Sequence, residues 1–316
     1  SLFHVVAPIA ALVFIIAIFT VKNVGQIVKA PIDVLSIILS VLGFGGLLYG
    51  TSSISHDGWN DPIVLTTIIG GVILVVLFIW RQSKLEVPLL NFDVFKNSQF
   101  AIGILIMAVT MISMIGSETV LPMFVQNLLN RTPLDSGLIL LPGAIVMAIM
   151  SFASGSLYEK FGAKPLALIG MLIVVITTTY FVVMDENTSS TMLATVYGIR
   201  MIGIALGLMP VMTHTMNQLP YEMNAHGSSM TNTAQQIAGS IGTAVLITIL
   251  SQASKNYTPN MSDYDGMKRS EMLGQIKIDT MLHGYHAGFL FAVIITIVSF
   301  LCSFMLKRNA QTPNDK

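Results

Sequence analysis

Charge is what this sequence lacks most. Lysine and arginine number 16 and aspartate and glutamate 16 among 316 residues, only 10% together, against roughly 25% in an ordinary soluble domain. With 53% hydrophobic residues and a mean hydropathy of +0.76, there is too little polar surface for a water-soluble fold. The single cysteine, Cys302, excludes a disulfide framework and a paired-thiol metal site. The chain has no Gly-x-x-x-x-Gly-Lys phosphate loop, no Gly-x-Ser-x-Gly elbow and no His-Glu-x-x-His helix, which removes support for ATP hydrolysis and for the common membrane hydrolases. No basic stripe is present to bind nucleic acid. His283 and His286 stand at i,i+3, but with no carboxylate or thiol at ligand spacing no metal is expected.

What is abundant is the long apolar run. Crossing the hydrocarbon takes about 20 largely apolar residues, and nine such runs are expected: 3–20, 33–52, 62–80, 99–126, 136–156, 164–184, 190–216, 232–252 and 284–306. They are too uniformly apolar for barrel strands, which alternate. The fold class is therefore an all-α integral membrane protein in a lipid bilayer. Basic residues gather in cytoplasmic loops. Lys22, Lys29, Arg81, Lys84, Lys96, Lys160, Lys164, Lys307, Arg308 and Lys316 fall on one side if the first run enters from outside, which puts the C-terminus in the cytoplasm. Arg131 falls on the other side, as do Lys255, Lys268, Arg269 and Lys277 in a loop of about thirty residues, where the charge rule loses force. The first run lacks the basic flank of a signal peptide, and Ser1 reads as a point inside a longer chain.

Three segments are expected. Residues 1–30 form one helix and a basic linker, 31–98 form a separate helix pair and a connection, and 99–316 form a six-helix bundle. The connection, 81–98, reads as a surface segment with Leu89, Leu90, Phe92, Val94 and Phe95 on its apolar side.

The turn between the fifth and sixth runs carries Gly155, Leu157, Glu159, Lys160, Gly162 and Lys164. This resembles the cytoplasmic signature loop of the major facilitator superfamily, Gly-x-Leu-x-Asp-(Arg/Lys)-x-Gly-x-(Arg/Lys). Glu159 stands where Asp is usual, and Pro165 replaces a second base. Gly155 is expected to let two helices approach, Gly162 to permit the turn, and the charged residues to bond helix ends. Trp80, Arg81, Pro88, Leu89, Leu90, Phe95, Phe100, Leu121, Pro122, Gln126, Ser136, Gly137, Leu141, Pro142 and Gly143 resemble the fourteen-helix drug:proton antiporters of that superfamily, of the lincomycin- and multidrug-resistance type. Phe3 to Ala10, with Pro8, is similar to their sixth helix, and the pair at 33–52 and 62–80 to their two extra central helices. The resemblance implies that this chain is the C-terminal portion of such an exporter. It would then lack five helices of the N-terminal bundle and exchange an amphipathic drug for protons by alternating access. A proton gradient would drive it, with no cofactor and no enzymatic step. The alternative is a truncated membrane fragment that only associates with other proteins.

Two full charges lie inside the runs, Glu118 and Arg200. Each costs at least about 2.5 kcal/mol in hydrocarbon unless it faces protein or water. Both are expected roughly 12–15 Å from the outer helix ends. Glu118 is the candidate proton or cation site, against the plainer reading of a carboxylate that reaches water and does nothing. Arg200 cannot lose its proton, so it needs Glu118 or backbone carbonyls as a permanent partner, or is a fixed structural tie. It sits in a stretch resembling the superfamily's fourth-helix Arg-x-x-x-Gly pattern. Gly203, Gly207, Gly239 and Gly242 are expected to serve helix packing. Gln126 and Asn127 offer amides to a drug pocket, while Gln235 and Gln236 are read first as helix-to-helix hydrogen bonds. The 20 methionines are either an adaptable pocket lining or, more plainly, lipid-facing filler.

Overall fold

A computed structural model describes residues 2–20, 33–85, 88, 90–264 and 266–307. Its contacts divide the chain into two compact units, Ser1–Asp33 and Val34–Lys316. The first holds one helix, α1 (Leu2–Thr20), with Pro8 inside it. The linker expected after it lies outside the described residues, as does Leu89.

The second unit contains α2 (Val34–Asp57), α3 (Pro62–Gln82), α4 (Ser98–Asn127), α5 (Pro133–Phe161), α6 (Ala163–Val182), α7 (Ser190–Met216), α8 (Asn224–Asn256) and α9 (Arg269–Ser303). Each is long and apolar enough to cross a membrane. The starts are written in the sequence. Asp61 accepts from the Ile63 and Val64 amides ahead of α3, and Asn97 from Gln99 and Phe100 ahead of α4. Thr132 and Asp135 close a capping box at α5, with Pro133 in the first turn. Such caps satisfy amides that a helix start leaves free.

Around α4 the helices pack as one body: α4 touches α7, α8 and α9, while α6 fills the space between α7 and α9. Phe124 meets Tyr285 and Phe181 meets Phe289 with ring centroids 5.3 Å apart. Glycine sets the closest crossings. A Cβ on Gly170 of α6 would stand 2.5 Å from the Gly203 carbonyl oxygen and 2.6 Å from the Gly207 nitrogen. One on Gly242 of α8 would stand 2.6 Å from the Ile112 Cα. Only glycine admits backbone that near, the device of small-residue packing between membrane helices. At Gly239 a Cβ would run into the Ile115 side chain.

The outcome differs from the sequence reading in three places. The α2–α3 pair is not set apart: Thr51 and Ser240 hydroxyls bond at 2.7 Å, and Ile54, Val64 and Ala244 form a buried cluster, so it packs on α8. Val94 is buried and Leu90 and Phe92 pack on the main core. The described residues from Leu90 onward are therefore folded in around a short 3-10 turn, Phe92–Lys96. The thirty-residue loop between the last two runs is mostly helix. Both α8 and α9 extend past their apolar stretches, which puts Lys255 and Lys277 on helices. In the remaining connection, Tyr264 donates to Asp279 at 2.6 Å, a bond that pushes the Tyr264 phenol up from its ordinary value.

Candidate functional site

Glu118 lies nine residues before the end of α4 and Arg200 ten residues into α7. The two helices run antiparallel, so both charges sit about 15 Å from the same end of the bundle. They do not form an ion pair. The contact of 4 Å or less between opposite charges among the described residues is Lys96 with Asp93. Glu118 and Arg200 are still close enough for their charges to interact electrostatically.

Arg200 is completely buried. Its Nε donates to Thr178 Oγ1 at 3.3 Å and its Nη2 to the Ser113 carbonyl at 3.2 Å. The guanidinium carbon lies 6.0 Å from the centre of the Phe181 ring, within reach of a cation–π attraction. Among the described residues Nη1 has no partner, and neither has the Ser117 hydroxyl, which is buried as well. Of the partners expected for Arg200, the backbone carbonyl is the one present. The rest of this face of α4 is a seam of hydroxyls against α9. Thr110 bonds Ser299 at 2.7 Å and Ser113 bonds Thr296 at 3.2 Å.

Glu118 points another way. With Met111, Met114 and Ile115 of α4 and Asn232, Gln235 and Gln236 of α8 it lines a cavity of about 390 Å3. Residues 111, 114, 115 and 118 fall on one helix face, and so do 232, 235 and 236. The cavity thus has one carboxylate, three amides and flexible thioethers. Gln235 also donates to Met107 Sδ at 3.5 Å.

The structure brings Glu118 together with Gln235 and Gln236 but leaves out Gln126, which lies two helical turns further along α4 and does not line this cavity. The neighbouring Asn127 donates to the Tyr285 hydroxyl at 3.5 Å. Two methionines belong to the cavity, and Met107, Met171, Met184 and Met201 are at most 1% exposed, so the reading of methionine as lipid-facing filler fails for them. Sequence reasoning missed Asn232, Met111 and Met114. The signal was the i, i+3, i+4 spacing of three amides, Asn232, Gln235 and Gln236, in α8.

In the turn between α5 and α6, Gly162 takes a φ of 77° and its amide donates to the Tyr158 carbonyl at 2.8 Å. Lys164 Nζ donates to the Phe304 carbonyl at 2.6 Å, at the end of α9. Lys160 lies over the Phe161 ring, while Glu159 is exposed and Leu157 is half-buried. Gly155 departs from expectation: a Cβ there would meet nothing within 4 Å, so it mediates no helix approach among the described residues.

Comparison with known proteins places these features in a lineage. The chain is 40% identical to an uncharacterized MFS-type transporter, YcnB, of Bacillus subtilis (strain 168), over 98% of this chain and 62% of that protein. It is 33% identical to the lincomycin resistance protein LmrB of Listeria innocua over 97% of this chain and 64% of that protein. The multidrug resistance protein Stp of Mycobacterium tuberculosis is 25% identical over 91% of this chain and 54% of its own length. The chain thus spans less than two thirds of the curated relatives it matches. A family model described as Major Facilitator Superfamily matches residues 1–243, and the chain belongs to that superfamily of membrane transporters.

Proposed function

We propose that this chain supplies the second bundle of a fourteen-helix drug:proton antiporter in the cell membrane, with the C-terminus in the cytoplasm. The observation that carries this reading is the cavity between α4 and α8, with one carboxylate among amides and thioethers at membrane depth. The names of the relatives, lincomycin resistance and multidrug resistance, point the same way. An amphipathic cation suits the lining: apolar parts contact Met111, Met114 and Ile115, amides orient polar atoms, and Glu118 meets the charge. Methionine adapts to varied shapes because its side chain is flexible and polarizable.

A proton and a cation compete for Glu118, since a carboxylate neutralised by one has no charge for the other. Arg200 supplies a fixed positive charge beside the site and makes the charged carboxylate less costly in the membrane. The first bundle would form the opposite wall, and alternating access would expose Glu118 to each side in turn.

In the complete protein, Glu118→Gln should abolish efflux of quaternary-amine dyes and the proton release that their addition provokes in everted vesicles under an imposed pH gradient. The protein should keep its thermal midpoint, because the carboxylate lines a cavity and makes no ion pair among the described residues. Full dye-driven proton release by the variant would sink the proposal.

A further inference from the structure

At the end of the bundle opposite the α5–α6 turn, a second cavity of about 360 Å3 opens between the α2–α3 connection and α8. Asp57, Trp59, Asn60, Ser251, Gln252 and Lys255 supply its polar lining. Local chemistry builds it. Gly58 adopts a φ of 83°, a conformation that costs glycine little, and so turns the chain sharply after α2. Asp61 then caps α3. Between these, the Trp59 indole N–H donates to Thr248 Oγ1 at 3.3 Å, which pins the turn to α8.

Three features select a ligand. Asp57 and Lys255 share the cleft without forming an ion pair of 4 Å or less, so it offers one negative and one positive charge at separate points. Helix α2 turns mostly polar over residues 51–57 and ends at Asp57, at the cleft. That is the depth of lipid headgroups and the level at which tryptophan collects in membrane proteins. On the two helices that the cleft's turn connects, Tyr49 of α2 and Ile63 of α3 are 59% and 61% exposed and give acyl chains an apolar surface.

We propose that this cleft seats the headgroup of a phospholipid carrying a primary ammonium, its phosphate on Lys255 and its ammonium on Asp57. Asn60, Ser251 and Gln252 complete the hydrogen bonding. The headgroup braces the α2–α3 pair against α8, the helix that brings Asn232, Gln235 and Gln236 to the Glu118 cavity. An effect on transport rests on the function proposed above; the binding itself does not.

Native mass spectrometry of the full chain in detergent, titrated with phosphatidylethanolamine and phosphatidylglycerol, tests the seat directly. Wild type should retain phosphatidylethanolamine about fivefold better than phosphatidylglycerol, the scale of one charge contact near a membrane surface. Asp57→Asn should abolish that preference, and Lys255→Gln should weaken retention of both lipids. Both side chains are exposed, so each variant should fold, as a thermal melt would verify. Equal retention of the two lipids by wild type, or a preference unchanged in Asp57→Asn, overturns the proposal. Soluble phosphoethanolamine that binds the cleft and displaces the lipid overturns its assignment to a lipid.

Discussion

The two faces of α4 solve the problem of polarity inside a membrane in opposite ways. Toward α7 and α9 it presents Thr110, Ser113 and Ser117 to a closed seam in which every side chain is at most 1% exposed and Arg200 reaches a carbonyl and a hydroxyl. Toward α8, one residue round the helix, Glu118 faces open space among amides and methionines. A guanidinium cannot drop its proton, so it is given permanent partners. A carboxylate can gain one, so it is left where a proton or a cation can reach it. The difference separates residues that hold the bundle together from residues that can change state.

That contrast is easiest to break where α8 crosses α4. Gly242→Val puts branched carbon against the Ile112 backbone, which has no rotamer to yield. A loss above about 3 kcal/mol is expected, because overpacking without room to relax costs that much; it should appear as failure to recover folded protein from membranes. Within the seam, Arg200→Lys keeps the charge but loses the planar fork that reaches Thr178 and Ser113 together. A stability loss of about 2 kcal/mol is expected for the missing charge-assisted bonds, read as a lowered thermal midpoint in detergent. Damage to the seam should thus lower stability and transport together, while Glu118→Gln lowers transport alone. A Glu118 variant that melts as early as the Arg200 variant would erase the distinction. The smallest effect belongs to Gly155→Ala. Its Cβ meets nothing within 4 Å, so stability should stay within about 0.5 kcal/mol, as for surface substitutions generally, with no lowering of the midpoint.

How much of this was legible beforehand differs by element. The caps Asp61, Asn97 and Thr132 emerge only with the structure, whereas the apolar runs mark most helix limits within one or two turns of chain. They fail at α8 and α9, whose polar ends continue as helix past the apolar stretch. Hydropathy records the thickness of a bilayer and says nothing about helix that extends beyond it. The 81–98 connection was misplaced for a related reason: an amphipathic segment packs equally well on lipid or on protein, and only the position of the main core decided that Val94 is buried.

From the sequence alone came the membrane-spanning all-α class, the resemblance to the superfamily and the two charges within apolar helices, Glu118 and Arg200. Each is a matter of composition, run length or a local motif. Tertiary structure decided that these charges do not pair, that Asn232, Gln235 and Gln236 join Glu118 while Gln126 does not, and that the α2–α3 pair leans on α8. Those outcomes depend on the rotation and crossing of helices far apart in the chain, set by close contacts such as Gly242 on Ile112 and Gly170 on Gly203. No periodicity within a single helix encodes which of its faces another helix will meet.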